Sequence, residues 1–455
     1  MKVLFRIISL FFVLCSLSLP TLTQTRTGGE KYAPVSDEIS LEQAINYSLE
    51  NNFDLDPAIA SVNAAKARKV AAFGQYLPRV DVGGSYQRLL SNSDVQRTEN
   101  GAVVVGPNTY SLYAQGRYTI FDGFSREAEY EISDSDFDGS MYRFKQLEQD
   151  IAIEVTRRYI NALQLRQAYL VRKENTELGE LNVKRAKAQY EAGIIPVNDV
   201  LTQEADLGQR KLEEVRSLND YEIAIASLLT IMGANPTSTT SLSEKDLKLD
   251  NIETEIIETK NKIAGTENAI SIAMENRQDI LALLENLEIS RSTRRAASAG
   301  YMPSVQATGG WFFAGPELGR FDLLSRTQIG MSLNIPVFEQ FQTNLAQERA
   351  EIQVEQSDTE LRWLKQGVRQ AIQTAILNLN AAEKQYEISE LALQSAELNF
   401  ESATERQKAG AATVLDYFNA NNQLVQAKLT RIQGLYGYLT ARKELFYQMG
   451  LILEN

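Results

Sequence analysis

The sequence predicts a membrane protein of mixed class, built from two tandem copies of one unit. Each copy joins a pair of membrane-length β-strands to very long coiled-coil helices. Three observations carry this expectation: a segment order that recurs at nearly fixed spacing, one strand of period 2 in each copy, and proline-free helical stretches of period 3.5. Four strands are too few to close a barrel on their own, since about eight is the known minimum. Several copies of the chain must therefore share one barrel if the strands span a membrane.

In chain order, the first feature is a targeting signal. Lys2 and Arg6 precede the apolar run "IISLFFVLCSLSL", followed by Pro20 and the polar "TLTQT". This is the layout of a secretory signal peptide over residues 1–24, and the run falls short of the about 20 residues a spanning helix needs. Cys15 is the only cysteine, and Leu14 before it is a poor match to a lipidation site. Beyond the signal the chain holds no cysteine and no histidine, so thiolate nucleophiles, disulfides and most zinc sites are unavailable.

The duplication is read from a set of matches. "AINYSLENNFDL" at 44–55 aligns with "AISIAMENRQDI" at 269–280, "YLP" (76–78) with "YMP" (301–303), and Gly84 with Gly309, all 225 residues apart. Further on, Gly193 pairs with Gly410, Asp199 with Asp416, and "IMG" (231–233) with "QMG" (448–450), 217 apart. These bounds give a first repeat over 25–233, a linker over 234–265 and a second repeat over 266–455.

Each repeat opens with helical segments, 41–50 and 58–75 in the first, 267–276 and 280–300 in the second, ended by Pro78 and Pro303. The period then switches to 2. In "YSLYAQGRYTIF", Tyr110, Leu112, Ala114, Gly116, Tyr118 and Ile120 share one face; in "RTQIGMSLNIPVF", Thr327, Ile329, Met331, Leu333 and Ile335 do. With partner strands near 79–89 and 304–313, each repeat holds one hairpin, about 79–121 and about 304–338. Stretches over 124–192 and 341–409 are expected to be single helices, each roughly 100 Å long at 1.5 Å per residue. A second helix returns from each tip, over 196–232 and 413–449; stacked on the short helix before the hairpin, it nearly matches the long one.

Ile372, Ala375, Leu379, Ala382, Tyr386, Ser389, Leu393, Ala396, Phe400 and Ala403 step 3,4,3,4, as do Leu415, Phe418, Asn422, Val425, Leu429, Ile432, Tyr436, Leu439, Lys443 and Phe446. A 3.5-residue repeat implies knobs-into-holes packing. Strands of about 10 residues suit a tilted membrane span, and Tyr110, Tyr118, Phe121, Trp311, Phe313 and Phe338 are placed near strand ends for an interface girdle. A soluble pair of hairpins in a secreted or periplasmic coiled-coil scaffold without a pore is the alternative reading.

The duplicated "A…ENxxD(I/L)" opening, the "YxP" before each first strand, "IFDGFSREAEYE" (120–131), "IPVFEQFQTNLAQERAEI" (335–352) and the two "AG…D" tips together resemble the TolC-like outer membrane efflux proteins, over residues 38–450. The resemblance implies a homotrimer with a twelve-stranded barrel in outer membrane lipid, four strands per chain, continued by a helical barrel across the periplasm. It implies a passive conduit for efflux or type I secretion, with a periplasmic adaptor and an inner-membrane pump as partners, and no cofactor. The segment 235–264, polar and turn-rich, would form part of a belt, and loops 91–108 and 314–324 would face outside.

Asp199 and Asp416 match the position at which the family narrows its periplasmic entrance, so the resemblance implies carboxylate rings that favour cations. Independently, each Asp opens the helix that leaves its tip, where a carboxylate complements the dipole. Both readings stand at this point. Asn419 replaces a second acid, Ala412 a basic latch residue, and Asn198 an aromatic, so the family's ion-pair latch is not matched. Gly193 and Gly410 suit left-handed turns. Ile194, Ile195, Ala411, Ala412 and Val414 are candidate adaptor contacts.

A net charge of −13 disfavours nucleic acid. There is no phosphate loop, no G-x-S-x-G and no histidine for acid–base work, so catalysis is not expected. Acid pairs such as Glu213–Glu214 are expected on solvated helix faces.

Overall fold

A computed structural model describes residues 35–90, 97–98, 101–102, 108–244, 252–263, 265–315, 325–409 and 411–453. The signal peptide over 1–24, nearly all of loops 91–108 and 314–324, part of the linker, and Gly410 lie outside the described residues.

The first repeat contains β1 (Glu38–Ile39), α1 (Leu41–Asn51), α2 (Leu55–Gly74), β2 (Arg79–Arg88), the short β3 (Arg97–Thr98) and β4 (Gly101–Ala102), β5 (Asn108–Phe121), α3 (Ser125–Glu191) and α4 (Val197–Ile231). The linker adds β6 (Ser241–Leu242) and α5 (Ile252–Ile263). The second repeat contains α6 (Thr266–Asn276), α7 (Gln278–Ser298), β7 (Ser304–Gly315), β8 (Ser325–Asn334), α8 (Gln342–Lys408) and α9 (Val414–Gln448).

The long helices α3 and α8 have 67 residues each and the returning helices 35 each. Apolar burial is periodic along them, as the heptads require, but the register slips near the second tip. Leu415 is 65% exposed, whereas Tyr417, Phe418 and Asn421 are buried. The short helices end before their prolines rather than at them. Gln75, Tyr76 and Leu77 donate to carbonyls three residues back, and a 3₁₀ turn spans Ala299–Tyr301, so each helix tightens and stops before Pro78 or Pro303.

Laterally, α4 packs on α3, α3 on α9 and α9 on α8; nearer the sheet the order is α2, α3, α7, α8. The main core lies midway along the rods, where Tyr159, Leu163, Leu228, Met232, Ile280, Ile372, Tyr436 and Leu445 are buried together. Here α4 ends against the start of α2. Asn52 Nδ2 donates to the Ile231 carbonyl at 2.7 Å, and in the second repeat Arg277 Nη1 donates to the Gln448 carbonyl at 3.2 Å. Carbonyls orphaned at one helix end are thereby satisfied by the residue that begins the next.

Gly233 makes that junction possible. Its φ is +73°, and a Cβ there would fall 2.3 Å from the Asn51 carbonyl oxygen. Gly193, at the exposed tip, has φ +72° but open space around a Cβ. Gly193→Ala therefore incurs only the left-handed penalty of about 1–2 kcal/mol, whereas Gly233→Ala adds a steric clash. Thermal loss of helical circular dichroism is expected several degrees earlier in Gly233→Ala than in Gly193→Ala.

The linker differs from expectation. Residues 252–263 form an amphipathic helix instead of a polar, turn-rich strip. Ile252, Glu255, Thr259 and Ile263 face inward, and Arg442 of α9 binds both Glu255 (2.6 Å) and Thr259 (2.9 Å). On the other side, β6 pairs in parallel with β1, and Tyr159 Oη lies 2.9 Å and 2.6 Å from the Ile39 and Ser243 carbonyl oxygens.

Candidate functional site

The site has two ends: the paired helix tips and the four-stranded sheet.

At the first tip α3 closes with a Schellman motif. Gly193 N–H donates to the Tyr190 carbonyl at 2.8 Å and Ile194 N–H to the Gln189 carbonyl at 2.9 Å. At the second, Ala411 N–H donates to the Arg406 carbonyl at 2.8 Å, a bond of the same six-to-one span. Each Asp is then the third residue of the outgoing helix, but their surroundings differ. Thr413 caps α9: Asp416 N–H donates to Thr413 Oγ1 at 3.1 Å, while Asp416 Oδ2 accepts from the Thr413 hydroxyl at 2.7 Å and from its N–H at 3.0 Å. This capping box holds the Asp416 carboxyl below its ordinary pKa, first through the Thr413 hydroxyl and then through its backbone N–H. Pro196 occupies the equivalent position at the first tip and has no side-chain donor. The Asp199 carboxylate makes no hydrogen bond or ion pair among the described residues.

Because the Asp416 pKa is depressed, its contribution to the cap is complete above the unfolded carboxylate pKa, about 3.9, and is lost as pH falls through the lower folded value. Thr413→Val is expected to move that loss upward in pH. It should also speed hydrogen exchange over 414–418 about five-fold, the usual worth of a threonine cap. Exchange measured across pH 3–6 checks both.

The tip surface is more apolar than the five expected contacts suggest. Ile194 is 70% exposed and Ala411 is exposed, while Ile195, Ala412 and Val414 are half-buried. Exposed Val197, Leu201 and Leu415 extend the same surface. Above the tips the two helical hairpins are linked by polar groups. Asn182 Nδ2 donates to Tyr417 Oη at 3.2 Å, Asn421 Nδ2 to Asn175 Oδ1 at 2.9 Å, and Lys428 pairs with Glu174 at 3.0 Å. Arg210 of α4 is buried beside them against bare Gly179, bound to Asp206 (2.6 Å) and to Asn175 Oδ1 (2.6 Å). Glu213 is not merely solvated, since it accepts from Arg172 across the α3–α4 contact.

The sheet order is β2-β5-β7-β8, all antiparallel. The two hairpins therefore join through β5 and β7 into one sheet whose outer strands, β2 and β8, each keep an unpaired edge. The register sorts the faces. Successive rows read Tyr86–Tyr110–Gly315, Gly84–Leu112–Phe313–Ser325, Val82–Ala114–Trp311–Thr327, Val80–Gly116–Gly309–Ile329 and, on three strands, Tyr118–Ala307–Met331. Every row places the apolar residues of neighbouring strands on one face. The other face carries Arg79, Asp81, Gln115, Arg117, Thr308, Gln328 and Ser332. Trp311 lies two rows inside the outer edge, not at a strand end as expected.

Where the sheet meets the long helices, both repeats use the same strained turn. Phe124 and Phe341 precede α3 and α8 with φ of 69° and 63°, in the left-handed region, which bulky residues rarely occupy. Each ring packs edge-on against the aromatic three residues earlier, Phe121 at 5.4 Å and Phe338 at 5.6 Å. No helix among the described residues is long and apolar enough to cross a membrane.

A sequence profile of the outer membrane efflux proteins matches residues 44–234 and 269–451, one segment in each repeat. The chain belongs to the outer membrane efflux protein family. Among relatives in this family, the outer membrane efflux protein BepC of Brucella suis is 22% identical, over 90% of this chain and 85% of its own length. The outer membrane protein TolC of Vibrio cholerae is 21% identical, over 91% of this chain and 92% of its own. The fold is that of the Campylobacter jejuni CmeC outer membrane channel, with a TM-score of 0.74 at 19% identity over 90% of this chain and 86% of CmeC. As an outer membrane efflux protein, the chain belongs to the outer membrane, with its helical part on the periplasmic side.

Proposed function

We propose that this protein is the outer membrane channel of a tripartite efflux or type I secretion system. It is a passive conduit from periplasm to exterior, gated at the helix tips. The observation that carries the reading is the sheet: one continuous apolar face, ending in two unpaired edges. In lipid, unpaired backbone groups cost several kcal/mol each, so β2 of one copy must meet β8 of another.

The helices repeat this asymmetry. On α8, Leu345, Ile352, Trp363, Leu377, Leu391 and Leu398 are all exposed at steps of 7, 11 and 14 residues, which keep one helix face. At the opposite end of the lateral order, Ile59 and Phe73 of α2 and Leu201 and Leu212 of α4 are exposed in turn. Two different apolar edges favour head-to-tail contact, which closes into a ring. A trimer gives twelve strands, above the barrel minimum.

At the entrance, Asp199 is the acid freer to face permeating cations, with Asp416 sharing its charge with the cap. The exposed apolar tip around Ile194 and Leu415 is the surface for a periplasmic adaptor, itself coupled to an inner-membrane pump. The pore-free scaffold accounts for the coiled coil but leaves the apolar sheet face bare.

The deciding experiment is purification from outer membranes, followed by planar-bilayer recording. Dependence on detergent, a complex of three chains and stable conductance are expected. A detergent-free soluble protein without conductance would establish the scaffold instead.

A further inference from the structure

The polar face of the sheet has a charge opposite to that of the chain. Its described positions hold Arg79, Arg117 and Arg326 against one acid, Asp81, in a protein of net charge −13. One row of the register reads Arg79–Arg117–Thr308–Gly330. It sets two guanidinium groups on directly paired residues, an arrangement that like charges disfavour. Asp81 Oδ1 takes up Arg79 Nε at 3.0 Å. Arg117 is left exposed, without an acidic partner among the described residues, with the small Thr308 on its other side and Gly330 beyond that.

Four residues earlier on β5, the row Gly83–Tyr113–Phe312–Arg326 carries the next positive charge. The two rows are about 13 Å apart. The Arg326 guanidinium carbon lies 5.8 Å from the centre of the Phe312 ring, and the Tyr113 ring fills the space above Gly83. The aromatic shelf holds Arg326 in place without neutralising it.

We propose that this face is an anion-attracting sleeve, in which Arg117 and Arg326 form two basic rings that bind solutes bearing carboxylate or phosphate groups. The proposal rests on the channel reading, which turns the polar face toward the lumen and repeats each arginine around it. Guanidinium groups bind such anions through paired hydrogen bonds, and charged rings in a low-dielectric wall concentrate the field along the duct. The conduit would then carry charge of opposite sign at its two ends: acid at the tips, base at the exit.

The test uses the full-length channel in planar bilayers, with inositol hexakisphosphate added to one side at a time. Block from the sheet side is expected at concentrations about tenfold lower than from the tip side, the effect of one charge-assisted contact. Arg117→Gln should weaken sheet-side block about tenfold, Arg117→Lys should retain most of it, and Arg117→Gln with Arg326→Gln should remove the sidedness. If Arg117→Gln does not assemble, Arg326→Gln alone must weaken the block. Equal block from both sides in the unmodified channel, or block unchanged in conducting Arg→Gln channels, overturns the sleeve. Absence of any conductance in the unmodified protein overturns the channel reading instead.

Discussion

Ile329→Arg is expected to keep the chain out of the outer membrane, while Gln328→Arg, one residue away, leaves assembly intact. Ile329 is 90% exposed near the middle of β8, in the row Val80–Gly116–Gly309–Ile329. Gln328 belongs to the row Asp81–Gln115–Gly310–Gln328, on the opposite face. An arginine facing lipid at the midplane costs about 2–4 kcal/mol, and every copy in the ring would incur it. An arginine facing water incurs almost none of this. Membrane fractionation and bilayer conductance of the two variants give the answer. Equal insertion of both would show that the apolar face does not meet lipid.

The second large effect is expected at Arg210. Its side chain is 4% exposed, and its Nη2 has no hydrogen-bond partner, so its charge depends on Asp206 and Asn175. Asp206→Ala removes the counter-charge and leaves a guanidinium buried among helices. The expected loss is about 3 kcal/mol, at the low end of the range for breaking a buried pair because Asp206 keeps some contact with water. Arg210→Met removes the charge but keeps the stem against Gly179, and is expected to be nearly neutral. The double variant should resemble Arg210→Met. Hydrogen exchange over 172–183 and 204–213 reads the effect: marked acceleration in Asp206→Ala alone supports the account, and equal behaviour of all three variants contradicts it.

Much of the architecture was legible because it repeats locally. The long helices expected over 124–192 and 341–409 span Ser125–Glu191 and Gln342–Lys408. The faces read from Tyr110 to Tyr118 and from Thr327 to Leu333 are those the sheet presents, but Ile120 does not continue the first, because a bulge between Thr119 and Phe121 hands the pairing with Val305 to Phe121. Gly193 has a left-handed φ of 72°. Two of the misses share a cause, which is that the deciding partner is distant in sequence. Leu415 continues the heptad pattern yet is exposed, because the packing near the tip passes to Tyr417 and Phe418. Residues 252–263 look like linker until Arg442, nearly two hundred residues later, gives Glu255 and Thr259 a partner. Asp199 and Asp416 look equivalent in sequence, and one neighbour, Thr413 in place of Pro196, separates them.

The sequence by itself determined the duplication, the strand length and alternation, and the two rods of 67 residues, since each follows from a periodicity that a short window contains. Only the tertiary structure decided that the hairpins meet through β5 and β7, that their register aligns every apolar row, and that Arg210 and Arg442 find their acids inside. Those outcomes depend on non-local pairing. A strand's alternation says which residues share a face, but a one-residue slip between strands would turn that face over, and the choice is made by the contacts across the fold.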